Sequence, residues 1–309
     1  MEVGRIGRLY GVKKLDRAYK DHLSGYDETV APEELFFPEN LGEKLTIDET
    51  SLINGELYTI VTNKTKGKCV AVMKGTKAAE ITKKLMDHFP VETRMTVGEV
   101  TLDMDEGFDW VVRQCFPNAE FIVDRFHVQK LVMECMQALR ITERQKILTQ
   151  RRECKKGGTS FRETPYENGD TPRQLLARAR YLLFKPSASW TETQKLRATI
   201  LFREYPDMQR GYELAQSLKK LYDKHMTRDV AAVLLRQWCE HCENSGISEM
   251  QDAAASVLRH EGRILNYWNN RATNAFAESF NAKIKGFRGM LRGVKDIKFF
   301  LFRCQVYFS

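Results

Sequence analysis

The chain has 309 residues, 42% of them hydrophobic and 29% charged, which is typical of a soluble globular protein and excludes a chain that is disordered by composition. Its longest apolar runs are far too short to span a bilayer, and its first residues lack the apolar stretch of a signal peptide, so we expect a cytoplasmic protein with no membrane partner. The net charge of +8 favours a polyanionic partner, of which nucleic acid is the commonest.

Strand and helix patterns alternate after an N-terminal extension, residues 1–44, in which we expect a short amphipathic helix at 11–22 and a linker at 32–42. Three strands joined by polar turns come first. A helix, a strand, a helix, a strand and a long helix to about residue 152 follow. The five predicted strands are 44–48, 57–63, 69–73, 97–102 and 119–123.

This order of elements predicts an α/β fold of the RNase H-like type, with a mixed five-stranded sheet, flanking helices and a large all-helical insertion. Its first three strands are antiparallel, and its crossover helices add parallel strands. Residues 128–258 show helical patterns and no strand pattern. We therefore assign 45–140 to the first part of the core, 141–258 to the insertion and 259–309 to a C-terminal helical part of the core.

Acids at the ends of two strands are candidate metal ligands. Asp48 ends the first strand and Asp103 follows the fourth, and an RNase H-like sheet brings these strands side by side. Two divalent ions held by carboxylates can activate the attacking oxygen and stabilise the leaving oxygen in phosphodiester cleavage. A third acid should come from a helix packed on the sheet, and Glu278 fits because residues 274, 278, 281 and 285 share one helical face.

Other roles for these acids stay open. An acid after a strand is more often a turn or helix-capping residue, as we expect for Glu49. Asp105, Glu106 and Asp109 are rivals of Asp103, and Asp105 or Glu106 could cap the next helix. A polar stripe on a helix, such as the one that holds residue 278, usually faces solvent.

Two further patterns have a structural and a functional interpretation. Asp124 and His127 can lie on one helical turn near the acids, or they can be a helix cap and a packed histidine. Cys239 and Cys242 resemble half of a zinc site, but no second pair follows at ordinary spacing, so we expect two buried helix cysteines. The seven cysteines are scattered and odd in number, which fits a reducing compartment.

The positive charge is concentrated near the C-terminus. Between residues 259 and 304 there are ten basic and three acidic residues, a net charge of +7. A charge run of this kind is often only a solvated helix face. It also suits a surface for nucleic acid, on which we expect Lys283, Lys285, Arg288 and Arg292 to contact phosphates.

Together these blocks resemble the bacterial insertion-sequence transposases of the ISL-three group, and are especially similar to its ISAon-one-type members. The resemblance covers roughly residues 40–305. It is most specific in Asp-Arg-Phe-His at 124–127 and in Asn-x3-Glu-x2-Asn-x3-Lys at 274–285. The other matching blocks are 45–50, 100–104 and 116–119.

The resemblance implies a DDE enzyme whose last acid lies beyond an all-helical insertion. Asp48 corresponds to the first acid and Glu278 to the last, while the second is Asp103 or Asp124, of which we expect Asp103. The implied cofactors are two Mg²⁺ ions, with Mn²⁺ as a substitute, bound by these three acids. The implied supporting residues are Asp124, His127, Asn274 and Asn281.

The resemblance also implies what the chain acts on. The implied substrates of this chain are double-stranded DNA at the ends of the element and in the target. The chain is expected to act as a homodimer or larger synaptic complex and to be nucleoid-associated when bound to DNA. Longer family members carry a cysteine-rich module and a helix-turn-helix, whereas no cysteine precedes Asp48 here. The ISAon-one-type resemblance implies that a separate short protein recognises the ends. Trp190 could stack on a flipped terminal base, although a core tryptophan is the commoner role.

Two alternatives belong to other classes of protein. One is an RNase H-like nuclease or resolvase that cuts DNA without joining it. The other is a non-catalytic DNA-binding protein derived from a transposase, against which the presence of all three acids argues.

Overall fold

The computed structural model describes residues 25–52, 55–271, 275–291, 294 and 296–308. They form two compact units. The first contains the residues up to Asp124 and those from 272 onward, and the second is Arg125–Arg271. The second unit differs in its ends from the expected insertion, 141–258, because the long helix after the last strand belongs to it from its first turn. The helix predicted at 11–22 lies outside the described residues.

A six-stranded mixed sheet forms the centre of the first unit. Its strands are β1 (Leu35–Phe36), β2 (Lys44–Ser51), β3 (Leu57–Asn63), β4 (Lys68–Lys74), β5 (Glu99–Leu102) and β6 (Glu120–Val123). They lie in the order β1-β4-β3-β2-β5-β6. β1, β4, β3 and β2 pair antiparallel, whereas β5 pairs parallel with both β2 and β6. The predicted pairing directions are confirmed, and the prediction of five strands is wrong.

The additional strand, β1, lies within the segment that was predicted to be a linker. Leu35 is buried and pairs with Val72 at the edge of the sheet. A 3-10 turn, Pro38–Asn40, follows, and the Nδ2 of Asn40 donates to the carbonyl of Cys69 at 2.8 Å. The linker prediction failed because the strand has only two residues and a proline lies near each of its ends, a pattern that is typical of loops.

Helices cover the sheet and build the second unit. In chain order they are α1 (Ala78–His88), α2 (Val91–Arg94), α3 (Glu106–Cys115), α4 (Arg125–Lys156), α5 (Pro172–Arg178), α6 (Arg180–Phe184), α7 (Glu192–Glu204), α8 (Pro206–Asp223), α9 (Arg228–Glu243), α10 (Ser248–Arg259), α11 (Glu261–Leu265), α12 (Tyr267–Asn270), α13 (Ala275–Met290) and α14 (Ile297–Phe308). Within the described part of the chain, no helix is both long enough and apolar enough to cross a membrane.

The sheet separates two hydrophobic cores in the first unit. On one face Ile47 and Val100 pack with residues of α1 and α3. On the other face Tyr58 and Ile60 pack with residues of α13 and α14. Side chains alternate along a strand, so Asp48, which pairs with Ile60, lies on the side of α13 and α14.

A buried aspartate fixes a loop of the second unit. Asp170 is fully buried and accepts a hydrogen bond from the Nε of Arg197 at 2.8 Å. It also forms an ion pair with Arg178 and accepts from the Nδ2 of Asn168 at 3.0 Å. Because Arg178 ends α5 and Arg197 lies in α7, this carboxylate ties the loop before α5 to two helices.

Gly42 lies where a larger residue would disturb buried hydrogen bonds. A Cβ at Gly42 would collide with the side-chain amide of Asn63. That amide donates to the carbonyl of Asn40 at 2.7 Å, and its oxygen accepts from the N–H groups of Thr65 and Lys66 at 2.9 and 3.0 Å. We expect Gly42→Ala to lower the free energy of unfolding by about 1–3 kcal/mol, because the amide must leave the carbonyl of Asn40, which remains buried. Urea denaturation followed by circular dichroism measures this change.

Gly98 provides the matched control for this substitution. A Cβ at Gly98 would meet only the side chain of Glu43, at an ordinary contact distance of 3.5 Å. Gly98→Ala should therefore leave the urea midpoint unchanged. An unchanged midpoint in Gly42→Ala as well would contradict the collision with Asn63.

Candidate active site

The parallel register brings the ends of β5 and β6 together beside the middle of β2. β2 and β5 pair Thr46 with Thr101, and two residues further along each strand stand Asp48 and Asp103. β5 and β6 pair up to the residues directly before Asp103 and Asp124. Asp103 and Asp124 thus directly follow their strands, whereas Asp48 lies within β2, which continues to Ser51, so the prediction that Asp48 ends the first strand is wrong. The three acids still stand on or directly after three adjacent strands.

Two hydrogen bonds hold the carboxylate of Asp48. Its Oδ1 accepts from the backbone N–H of Glu49 at 2.8 Å. Its Oδ2 accepts from the Nδ2 of Asn281 at 2.7 Å, although 233 positions of sequence separate the two residues. Asn281 is only 7% exposed. This contact joins the sheet edge to α13, the helix that also carries Glu278.

Helix α13 packs on the sheet through its apolar face. Its buried apolar residues are Ala277, Phe280, Ile284 and Phe287. Asn281 is buried with them, whereas Glu278 is exposed. At a helical rise of about 1.5 Å per residue, Glu278 stands roughly 4.5 Å from Asn281 along the axis. The polar stripe thus faces the sheet at Asn281 and solvent at Glu278. Asn274, the first residue of this stripe, lies outside the described residues.

The rivals of Asp103 have structural partners of their own. The Oδ1 of Asp105 accepts hydrogen bonds at 2.7 and 3.1 Å from two backbone N–H groups in the first turn of α3. The prediction that an acid caps this helix is confirmed for Asp105. Asp109 is buried and pairs with Arg113 at 3.6 Å. Asp103 itself is exposed, and its Oδ1 accepts from the N–H of Met104 at 2.5 Å.

Several acids lie close together at this edge. The pKa of Glu49 is above its ordinary value because its carboxyl is desolvated and because the charges of Asp105, Asp103 and Asp48 oppose its ionisation. Among the residues that the structure describes, no group of three or more His, Cys, Asp or Glu side chains is arranged to hold a metal ion. The oxygen donors still suit a hard cation: Asp48 lies on β2, Asp103 directly follows the adjacent β5, and the buried Oδ1 of Asn281 has no hydrogen-bond partner among the described residues.

A buried ion pair lies on the face of the sheet that also carries Asp48. Lys64 pairs with Glu99, and its Nζ donates to the Oγ1 of Thr101 at 2.7 Å. Burial lowers the pKa of Lys64, while the hydrogen bond to Glu99 and the charge of Asp124 act in the opposite direction. Sequence patterns missed this pair because Lys64 follows β3 in a polar turn. The signal was Glu99, the one charged residue of β5.

His127 and Trp190 both belong to the second unit. His127 lies in the first turn of α4, where its ring packs edge-on against Phe126 with the centroids 5.8 Å apart. The Nε1 of Trp190 donates to the carbonyl of Leu182 at 3.0 Å, and its ring centroid lies 5.3 Å from that of Tyr212. Trp190 thus has the partners of a packed tryptophan, which was the commoner of its two predicted roles.

The two cysteines that resembled half of a zinc site are buried in α9. Burial raises the pKa of Cys239 and of Cys242 to about 12 each. All seven cysteines of the chain are free thiols. Both observations agree with the prediction of buried helix cysteines.

The predicted phosphate contacts follow Glu278 along α13. Lys283 and Lys285 are exposed, and Arg288 is half-buried. Arg292 lies outside the described residues. The exposed lysines stand five and seven residues after Glu278, so the helix that carries this acid also presents positive charge to solvent.

A protein-family model matches most of the chain. The DDE_Tnp_ISL3 family model, described as Transposase, matches residues 45–304. The chain belongs to this transposase family. The match begins in β2, just before Asp48, and ends in α14, so it spans both units. Membership of the ISL-three transposase group is therefore confirmed, while the ISAon-one-type stays a prediction.

A curated transposase is a distant relative of the chain. The transposase for insertion sequence element IS1001 of Bordetella parapertussis is 21% identical over 267 residues. The aligned region covers 86% of this chain and 61% of the relative, so the chain spans less than two thirds of the relative's length. No solved structure matches the chain significantly.

Proposed function

We propose that the chain is a DNA transposase that cleaves strands at insertion-sequence ends and transfers them into target DNA. The observation that supports the proposal is the parallel register of β2 and β5, since Asp48 and Asp103 each come two residues after the paired Thr46 and Thr101. In addition, α13, the helix of Glu278, is hydrogen-bonded to Asp48 through Asn281. In this proposal the first unit is an RNase H-like core, and Arg125–Arg271 is its helical insertion.

Asp103 is a better candidate for the second acid than Asp124. Neighbouring strands lie about 4.8 Å apart. β5 is next to β2, but β6 is one strand further, so the strand of Asp124 lies roughly 10 Å from that of Asp48. Asp103 is also exposed, whereas Asp124 is buried on the side of Lys64.

Asp48, Asp103 and Glu278 would hold the divalent ions, which are Mg²⁺ or, as a substitute, Mn²⁺. When bound, two such ions activate the attacking oxygen and stabilise the leaving oxygen. The chain itself would supply orientation: hydrogen bonds from Glu49 and Asn281 hold Asp48, and the helix that carries Asn281 also carries Glu278. Asp124 and His127 stay supporting residues in this proposal.

A strand-transfer assay tests the proposed function. The substrate is the DNA that borders the coding sequence on each side, supplied with a target plasmid in cells that also express the neighbouring reading frames. This supplies the predicted end-recognition protein. Joined products are expected. Cleavage without joining would favour the nuclease or resolvase alternative, and DNA binding without either reaction would favour the non-catalytic alternative.

Lys283 and Lys285 are expected to bind phosphates without reading sequence. Replacing both with Gln should weaken binding to any duplex of equal length. It should also reduce the slope of log K against log salt by about 0.9 for each phosphate that the variant no longer neutralises. Fluorescence anisotropy at several salt concentrations measures both effects.

Lys77 and Lys83 provide a control with the same change of charge. Both are exposed and lie at the start of α1 or within it, and α1 packs on the opposite face of the sheet from α13. Their double Gln variant should keep the wild-type salt slope. If the two double variants have equal salt slopes, the lysines of α13 do not contact DNA.

A further inference from the structure

The side-chain amide of Asn281 is satisfied on only one side. A carboxylate can only accept hydrogen bonds, so the Nδ2 of Asn281 must face the Oδ2 of Asp48, from which it lies 2.7 Å. The carbonyl oxygen of the amide, Oδ1, must then point elsewhere. It is buried and has no hydrogen-bond partner among the described residues.

The contact with Asp48 is not needed to attach α13 to the sheet. Phe280, Ile284 and Phe287 of α13 already lie in the core that this helix shares with β3 and β4. A buried amide that only anchored the helix would gain nothing from an unsatisfied oxygen, because such a group loses its hydration without replacement. The position of this oxygen requires another explanation.

The surroundings of Asn281 suit a divalent cation. An amide oxygen is a hard ligand of the kind that Mg²⁺ and Mn²⁺ accept together with carboxylates. The carboxylate of Asp48, which the Nδ2 of Asn281 orients, is a hard oxygen ligand of the same kind.

We infer that Asn281 has two tasks in one cation site: its Nδ2 orients Asp48, and its Oδ1 is an additional oxygen donor to the cation that Asp48 binds. This inference rests on the proposed divalent-cation chemistry. It makes the site depend on an uncharged residue of α13 as well as on Glu278, and it explains why a polar side chain is buried in the otherwise apolar inner face of that helix.

Mn²⁺ titration of the full chain without DNA tests the inference. Isothermal titration calorimetry should show Mn²⁺ affinity reduced about 10- to 100-fold in Asn281→Ala, the range seen when a residue that supports a metal ligand is removed. Asn281→Asp restores an oxygen donor but places a second carboxylate beside Asp48. Its Mn²⁺ affinity should equal or exceed that of the wild type, while its melting temperature without Mn²⁺ should fall.

Gln216 provides the matched control. It is a buried amide, 8% exposed, in α8 of the second unit, and its Nε2 also lacks a hydrogen-bond partner among the described residues. Gln216→Ala should lower the melting temperature and leave the Mn²⁺ affinity unchanged. If Asn281→Ala behaves in the same way, Asn281 is only structural and the inference is wrong.

The behaviour of Asp48→Asn separates this inference from the proposed function. Loss of both Mn²⁺ binding and DNA cleavage in Asp48→Asn, with wild-type Mn²⁺ affinity in Asn281→Ala, would overturn the inference and leave the function standing. Wild-type cleavage in Asp48→Asn would overturn the proposed function, and the inference with it.

Discussion

Replacing Asp48 by Asn is expected to slow DNA cleavage by a factor on the order of 1,000 or more while the chain stays folded. The substitution removes the negative charge from the residue at the centre of the proposed site. It keeps the size of the side chain and an oxygen that can accept from the Nδ2 of Asn281. Single-turnover cleavage rates and circular dichroism of the same preparation measure the two effects.

Neighbouring acids provide the controls for this variant. Glu49→Gln removes one negative charge at the next position of β2 and should keep the wild-type cleavage rate. Asp103→Asn should be as inactive as Asp48→Asn, whereas Asp124→Asn should retain measurable cleavage. The reverse order for Asp103 and Asp124 would exchange their roles, and full activity in Asp48→Asn would refute the proposed site.

Replacing Asp170 by Ala is expected to destabilise the second unit by about 3 kcal/mol, because breaking a buried ion pair leaves its partners uncompensated. This value is at the lower end of the range of about 3–5 kcal/mol for the loss of a buried ion pair, because 55% of the Arg178 side chain is exposed. Thermal unfolding followed by circular dichroism measures the loss. Asp207→Ala is the control: Asp207 and Arg210 form an exposed pair in the same unit, which contributes about 0.5 kcal/mol.

The contribution of Asp170 should also depend on pH. Burial alone would raise the pKa of this carboxyl, but hydrogen bonds from Arg197 and Arg178 outweigh it, and the pKa lies below its ordinary value of 3.8. A depressed pKa in the folded state means that the stabilisation is present above about pH 4 and is lost as the pH falls through the lowered pKa. The stability difference between wild type and Asp170→Asn should therefore shrink below pH 4. A constant difference would contradict the ionised pair.

The sequence predicted the half of the candidate site that follows from local patterns. Asp48 lies in β2 and Asp103 directly follows β5, and the order of strands and helices places these two strands side by side. The ends of strands and helices differ by a few residues from the predicted ones because hydrogen bonds, not composition, decide where they stop. The two-residue strand β1 could not be predicted, since its pairing depends on the exposed edge of β4.

The contacts between distant segments could not be predicted. Helical spacing put Glu278 and Asn281 on one stripe, but it could not say which of them is buried, because that depends on where α13 lies on the sheet. The ion pair of Lys64 and Glu99 could not be predicted for the same reason, because its burial requires β3 and β5 to lie on either side of β2. A residue that caps a helix, such as Asp105, was easier to predict because its hydrogen-bond partners are its neighbours in the sequence.

The hydrogen bond between Asn281 and Asp48 can form only late in the synthesis of the chain. The 233 positions between them correspond to roughly 12–47 s of translation at 5–20 residues per second. During that time the sheet edge with its aspartates has left the ribosome, while α13 has not been made. A chain released early at any point before α13 would lack both Asn281 and Glu278. The proposed site can therefore form only after α13 has been synthesised.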